Sequence, residues 1–500
     1  MKVITALIMI FLLFSSSFAG TNLIFNKDEY KIVETDDEKE NILWLNEEHP
    51  YIEMKSIKSY TGVGIEGGKR VIIYSNNGTI KKKYLEIEKD VYDFIIISPD
   101  EWIECLIPLK EHKERHNIKT KIVSLNEIYT GKYFRVDGID DAEKIKYFIK
   151  NSVEEWGAKY ILLVGSVYKM PIRNAVYYWS SGYKIEKFSI PTDLYYSDLY
   201  RYEDGKMVFS SWDTNGNGIF GEDYEEGLGE DDIIDLYPDV YVGRIACENE
   251  KVVKNVVKKI INYEEKAYGS NWFKKIILIG GDTFPGWGVV EGEFMNEMVS
   301  EIMKEFDTYK IWYSLGNLNS IEIEKALEKG AGFLYYSGHG FPYGWATHAI
   351  NDEKWVGRYF TPYISTLFNF YKLPVIFFDA CLTAKLDFNS SDLREDGIPF
   401  KFNSTFPCFA WYFIRHSYGG AIATVGATRV AFTGVDEDGP HWGAGYLAYK
   451  FFESYRETDI VGEVFARSQE KYVNKNLWDK WTIQEFILLG DPTLKIGGYE

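Results

Sequence analysis

From residue 94 onward, short uninterrupted apolar runs alternate with stretches of helical periodicity. Phe94-Ile95-Ile96-Ile97 precedes a helical stretch over 100–115, and Thr120-Lys121-Ile122-Val123 then restores a strand. A helix expected over 141–156 carries Ile145, Phe148, Ile149, Val153 and Trp156 on one face, stops at Gly157, and feeds Tyr160-Ile161-Leu162-Leu163-Val164. A strand that is apolar at every position needs cover on both faces, so the alternation specifies an α/β fold, a mostly parallel sheet with helices on both sides. A Tyr-, Asp- and Gly-rich insertion interrupts the pattern from 172 to 240. It resumes at Val240-Tyr241-Val242-Gly243-Arg244, a helix over 249–266 and the strand Lys275-Ile276-Ile277-Leu278-Ile279. Two α/β subdomains are therefore expected, one over 92–250 that holds the insertion and one over 251–500. Residues 20–91, with the turn Asn76-Asn77-Gly78, read as a small antiparallel β module or short propeptide.

Two of the strands run directly into reactive side chains among small residues: Phe333-Leu334-Tyr335-Tyr336-Ser337-Gly338-His339-Gly340 and Val375-Ile376-Phe377-Phe378-Asp379-Ala380-Cys381. In one parallel sheet both would emerge at the carboxyl edge, where open α/β sheets place their ligands. A thiol with an ordinary pKa near ~8.5 needs a neighbouring base to act as a nucleophile, and His339 can supply it. Gly338 and Gly340 clear side chains from around the imidazole, and the amides of Gly340 and Cys381 are candidate oxyanion donors. Asp282 ends another strand through Gly280-Gly281 and could orient the imidazole, or it could be a turn or helix cap.

Other chemistries lack their signatures. His348, His416 and His441 have no partners at metal-ligand spacing. There is no His-Glu-x-x-His, Cys-x-x-Cys, Gly-x-Ser-x-Gly or phosphate-cradling glycine loop, so no redox or organic cofactor is expected. Cys105 and Cys408 read as small buried hydrophobes, and four cysteines in 500 residues do not make a disulfide scaffold. Asp213-Thr214-Asn215-Gly216-Asn217-Gly218-Ile219-Phe220-Gly221-Glu222 places oxygen ligands at alternate positions before a Gly turn. Asp213, Asn215, Asn217, Ile219 and Glu222 are thus candidate ligands of a structural calcium ion. Tyr224 holds the position where an EF-hand has Glu, and a plain polar turn is the other reading.

A net charge of −19 argues against nucleic acid as partner, because binding phosphates needs a basic surface. The apolar run of Met1 to Phe14, followed by Ser15 to Gly20, reads as a secretory signal cleaved after Ala19. No later run approaches ~20 apolar residues, so a secreted, extracellular mature chain without a stable membrane span is expected.

The chain resembles the gingipain-type cysteine peptidases, secreted endopeptidases with a caspase-like fold. The resemblance rests on ordered segments from Tyr92-Asp93-Phe94-Ile95-Ile96-Ile97 through Ile161-Leu162-Leu163-Val164-Gly165 and Asp239-Val240-Tyr241-Val242-Gly243-Arg244. It continues through Ser337-Gly338-His339-Gly340 and Phe378-Asp379-Ala380-Cys381 to Leu489-Gly490-Asp491-Pro492-Thr493. It implies that Cys381 is the nucleophile, His339 the general acid/base, and the Gly340 and Cys381 amides the oxyanion hole. It also implies a carboxylate near the histidine from the segment holding Asp282. An acid at the base of the S1 pocket would fall on Glu291, with Glu293 close by, and would pair with a basic P1 side chain of a protein or peptide substrate. For Glu291 a helix start is the other reading. A sorting-type transpeptidase and a catalytically silent surface or binding protein are the rival expectations on the same fold.

Overall fold

The computed structural model describes residues 91–500 apart from 181–183, 204–205, 226 and 390–405, together with five strands between Glu40 and Leu85. The expected signal peptide over 1–19 and the Asn77-Gly78 turn lie outside the described residues. The chain divides into two compact units, residues 1–84 with 202–207, and the remainder. In the first, Glu40–Leu43 pairs antiparallel with Ile52–Lys55, and Ser59–Glu66, Lys69–Asn76 and Thr79–Leu85 form a three-stranded sheet in that order.

The second unit is built on one ten-stranded sheet. Its strands in chain order are β1 (Phe94–Ser98), β2 (Thr120–Ser124), β3 (Tyr160–Val164), β4 (Tyr241–Ile245), β5 (Lys275–Gly280), β6 (Asp307–Trp312), β7 (Phe333–Ser337), β8 (Val375–Asp379), β9 (Ala423–Ala427) and β10 (Phe486–Leu489). They lie side by side as β6-β5-β7-β8-β9-β10-β4-β3-β1-β2. Every adjacent pair is parallel except β9 with β10, which meet antiparallel from Thr424↔Leu489 to Ala427↔Phe486. The sheet is thus two parallel blocks joined along one antiparallel seam.

The apolar runs form strands because their side chains find cover on both faces: every residue of β1, β7, β8 and β9 is buried. Burying each large apolar side chain is worth roughly 1.5–3 kcal/mol, and only a covered parallel sheet buries all of them. The covering helices start and stop where local chemistry dictates. The helix α1 (Asp141–Trp156) is capped by the Asp140 carboxylate on the Glu143 amide and stops at Gly157, whose φ of 77° suits glycine. Asn249 caps α2 (Glu250–Lys266) through the Val252 amide. The helix α3 (Glu291–Ile302) follows β5 and packs behind the β5 and β7 strand ends.

One inter-element lock holds the long insertion to the sheet. Arg244, in β4, is fully buried, and its guanidinium places Nε 2.7 Å and Nη2 2.7 Å from the two Asp193 carboxyl oxygens. The remaining donors reach the carbonyls of Gly165, Met170 and Pro171 at 2.9–3.1 Å. Removing one partner of such a pair leaves the other charge buried without compensation. Arg244→Met should therefore lower stability by ~3–5 kcal/mol in a urea denaturation curve; a change below about 1 kcal/mol would contradict the role given to this lock.

Candidate active site

Ser337 in β7 and Asp379 in β8 are register partners, so His339 and Cys381, each two residues further on, leave the sheet together at its carboxyl edge. Past Ser337 the chain turns into an antiparallel hairpin of His339–Phe341, Gly344–Ala349 and Asp352–Phe360. The Gly338 amide donates to the Asp379 carbonyl at 3.1 Å, tying the hairpin's root to the Cys381 strand. Gly340 has no room for a side chain. A Cβ there would lie 2.1 Å from the Cys381 carbonyl oxygen and 3.0 Å from its amide nitrogen. The main chains of Gly340 and Cys381 are therefore in direct contact.

The imidazole of His339 is held at one nitrogen. Nε2 lies 2.8 Å from the Thr283 carbonyl. A carbonyl only accepts, so Nε2 carries the proton and Nδ1 of the neutral ring is free to take one. The same carbonyl is 3.3 Å from Nδ1 of His348, whose ring centroid lies 4.9 Å from that of His339. Burial, with His348 adding to it, holds the His339 imidazolium below the usual histidine range, while the Thr283 carbonyl opposes that shift. The ring is therefore neutral at pH 7 and able to act as a base.

Asp282 reaches this arrangement through its backbone. Its amide and carbonyl bond with those of His348, and its carboxylate accepts from the Asn351 amide at 2.8 Å. The hydrogen bond to the imidazole thus comes from the main chain of the next residue and not from the Asp282 carboxylate. The reason is local: pairing Asp282 with His348 turns its side chain onto Asn351 and leaves the Thr283 carbonyl facing the ring.

The Cys381 thiol sits 3.4 Å from the Ala431 carbonyl, ahead of Leu382 at a φ of 58°. Burial, and then the buried carboxyl of Glu485, pushes the thiol up to about 11, so the free protein holds a thiol and a neutral imidazole. Cys105, Cys247 and Cys408 are buried, in keeping with small packed thiols.

Glu291 is the first residue of α3 and is only 1% exposed. Ser337 Oγ lies 3.1 Å from Glu291 Oε1 and 3.0 Å from Asp379 Oδ2, and Tyr335 Oη donates to the same Asp379 oxygen at 2.7 Å. Burial raises both carboxyl groups, and Asp379 adds to the rise at Glu291. The hydroxyls of Thr283 and Ser337 act against that rise at Glu291. Glu293 is turned elsewhere, onto the amide and hydroxyl of Ser314.

The Asp213–Glu222 loop lies in the insertion and closes on itself. Asp213 accepts from the amides of Asn217 and Gly218, and Asn217 Oδ1 from that of Ile219. The side-chain amide nitrogens of Asn215 and Asn217 donate to Glu222 at 3.0 and 2.6 Å. Among the described residues no three acidic, His or Cys side chains converge on a point where a metal could sit.

A model of peptidase family C25 matches residues 87–497. The chain belongs to that family. Gingipain R2 of Porphyromonas gingivalis is 21% identical over 341 residues, which take in 67% of this chain and 38% of that protein. Gingipain R1 of the same species is 24% identical over 166 residues, 32% of this chain and 16% of the relative. The chain thus spans well under two thirds of the length of these relatives. The crystal structure of the Arg-specific cysteine proteinase gingipain R superposes with a TM-score of 0.57 at 18% identity, covering 82% of this chain and 79% of that one. The complex of the P. gingivalis RgpB pro- and mature domains gives 0.57 at 18% identity over 81% and 79%. This C25 chain accordingly has the gingipain fold, α/β with a mostly parallel sheet and helices on both faces.

No motif assigns a site role to Thr283, His348, Ser337 or Asp379 in this C25 chain. Ser337 and Asp379 were visible as the last strand residues before Gly-His-Gly and Ala-Cys. Thr283 acts through its carbonyl, which carries no sequence signal, and His348 lies on the hairpin's middle strand without a motif around it.

Because thiolate forms only as the pH approaches about 11, iodoacetamide should label Cys381 slowly at pH 7. The rate, followed by mass spectrometry, should rise about tenfold per pH unit from 7 to 10. A rate already flat between pH 5 and 8 would indicate a preformed thiolate–imidazolium pair instead. Gly340→Ala should force the hairpin away from Cys381 and lower stability by ~1–3 kcal/mol in a urea denaturation curve.

Proposed function

We propose that the chain is a secreted cysteine endopeptidase that uses Cys381 and His339. The observation that carries this reading is the contact of the Gly340 and Cys381 main chains, one residue from an imidazole whose proton-bearing nitrogen is held by Thr283. Nδ1 of His339 takes the proton of the Cys381 thiol as sulfur attacks the substrate carbonyl carbon. The carbonyl oxygen becomes an oxyanion between the Gly340 and Cys381 amides. The imidazolium then gives its proton to the leaving amine as the C–N bond breaks, leaving a thioester. Water adds to the thioester with His339 as base, the C–S bond breaks, and the acid and the thiol are restored.

A basic P1 side chain is part of the proposal. One solved relative is described as Arg-specific, and here Glu291 is a buried carboxyl beside Ser337, with the Thr283 hydroxyl as a further polar neighbour. Its carboxyl, raised by burial and by Asp379, would ionise when a guanidinium or ammonium arrives, because an opposite charge favours the anion. Secretion rests on the Met1–Ala19 segment; among the described residues no helix is long and apolar enough to cross a membrane. Calcium at the Asp213–Glu222 loop would require the Asn215 and Asn217 side-chain amides to release Glu222, and no step above depends on it.

Cleavage of a fluorogenic peptide library tests the reading. Cys381→Ala and His339→Ala should each lower kcat/KM by about 10⁴-fold or more. Glu291→Gln should reduce cleavage after Arg or Lys by roughly 10²-fold while sparing neutral P1 residues. Cleavage undiminished in Cys381→Ala would exclude the mechanism, and an intact basic preference in Glu291→Gln would remove Glu291 from the S1 site.

A further inference from the structure

Large aromatic side chains gather around His339 and stay open to solvent. The Trp355 ring, on the outer strand of the hairpin, lies 5.1 Å from the imidazole at 65°, and Phe284, on the loop after β5, lies 5.8 Å from it edge-on. Phe284 stacks on Trp287 at 4.4 Å, and Trp355 also meets Phe341 at 6.0 Å and His348 at 4.2 Å. Trp355 is 39% and Trp287 49% exposed. Single exposed aromatics are ordinary, but a contiguous exposed group marks a binding surface.

We propose that this wall is the subsite for the substrate residue that follows the scissile bond, P1′, and that it selects an apolar, above all aromatic, side chain there. The inference rests on the peptidase reading. Its ground is the path of the proton. His339 must reach the departing amine nitrogen at about 3 Å. That nitrogen is the backbone nitrogen of P1′, and its Cα is one bond of roughly 1.5 Å away. The P1′ side chain therefore starts within the shell that Trp355 and Phe284 occupy around the imidazole. Nothing comparable constrains the acyl side of the bond to this wall.

The Glu437 carboxylate stands at the wall's outer edge, 4.0 Å from where a Cβ on Gly288 would lie, and away from His339. The wall's nearest titratable member is His348, whose ring nitrogen lies against the Thr283 carbonyl. Selection at P1′ is accordingly by apolar contact and stacking, in contrast to the charge pairing proposed for P1.

The test uses internally quenched peptides with one fixed basic P1 and Phe, Leu, Gly or Asp at P1′. In the wild type the ratio of kcat/KM for Phe over Gly should be about tenfold, the range that apolar pockets give. Trp355→Ala should bring that ratio close to one, and Trp355→Phe should keep most of it; the ratio cancels any general loss of activity. Equal rates for Phe and Gly in the wild type, or a ratio unchanged in Trp355→Ala, would overturn the subsite. A peptidyl chloromethylketone that ends at P1 separates the two readings, since it does not touch the wall. If it labels Cys381 and the peptides are cut without P1′ preference, only the subsite falls. If it fails to label and no peptide is cut, the peptidase reading falls and the subsite with it.

Discussion

The parallel pairing of β7 with β8, in the register Ser337↔Asp379, is the constraint on which the site depends. A strand shifted by one residue would send every side chain to the opposite face, so this register is enforced by two strands buried at all positions. It delivers His339 and Cys381 to one edge. The Gly338 amide bond to Asp379 and the contact at Gly340 then turn proximity into a defined geometry. Gly340 matters here for the side chain it lacks, since any Cβ would displace the neighbouring main chain.

Beneath His339 and Cys381 lies a layer of buried carboxyl groups linked by hydroxyls. Ser337 spans Glu291 and Asp379, and Tyr335 supplies a second donor to Asp379. Two acids this deep resist being ionised together, because burial and mutual repulsion act in the same direction. The arrangement leaves a latent negative charge under the strand ends that a cation can call out. Above the layer the thiol and imidazole are both neutral in the free protein.

The strands of the sheet were largely legible because apolar runs leave few alternatives. β1, β3, β5, β7 and β8 lie within a residue or two of the apolar runs. β6 escaped because Asp307-Thr308-Tyr309-Lys310-Ile311-Trp312 is an edge strand in which only Ile311 is fully buried, so it has no apolar run to show. Its existence depends on pairing with β5. The closing Gly490-Asp491-Pro492-Thr493 was recognisable as a segment, but its reason is tertiary. Lys113, buried, meets both Glu264 at 2.7 Å and Asp491 at 2.9 Å, tying three distant parts of the chain.

What the amino-acid sequence by itself determined was the sheet and the two side chains at its edge, since continuous apolar runs demand cover on both faces and a parallel sheet exposes its ligands where strands end. The tertiary structure alone decided which group holds the imidazole, that Asp282 pairs with His348, and that Glu291 shares Ser337 with Asp379. Those are contacts between residues 42 to 66 positions apart in sequence. A main-chain carbonyl such as that of Thr283 is present at every residue, so only folding can single it out.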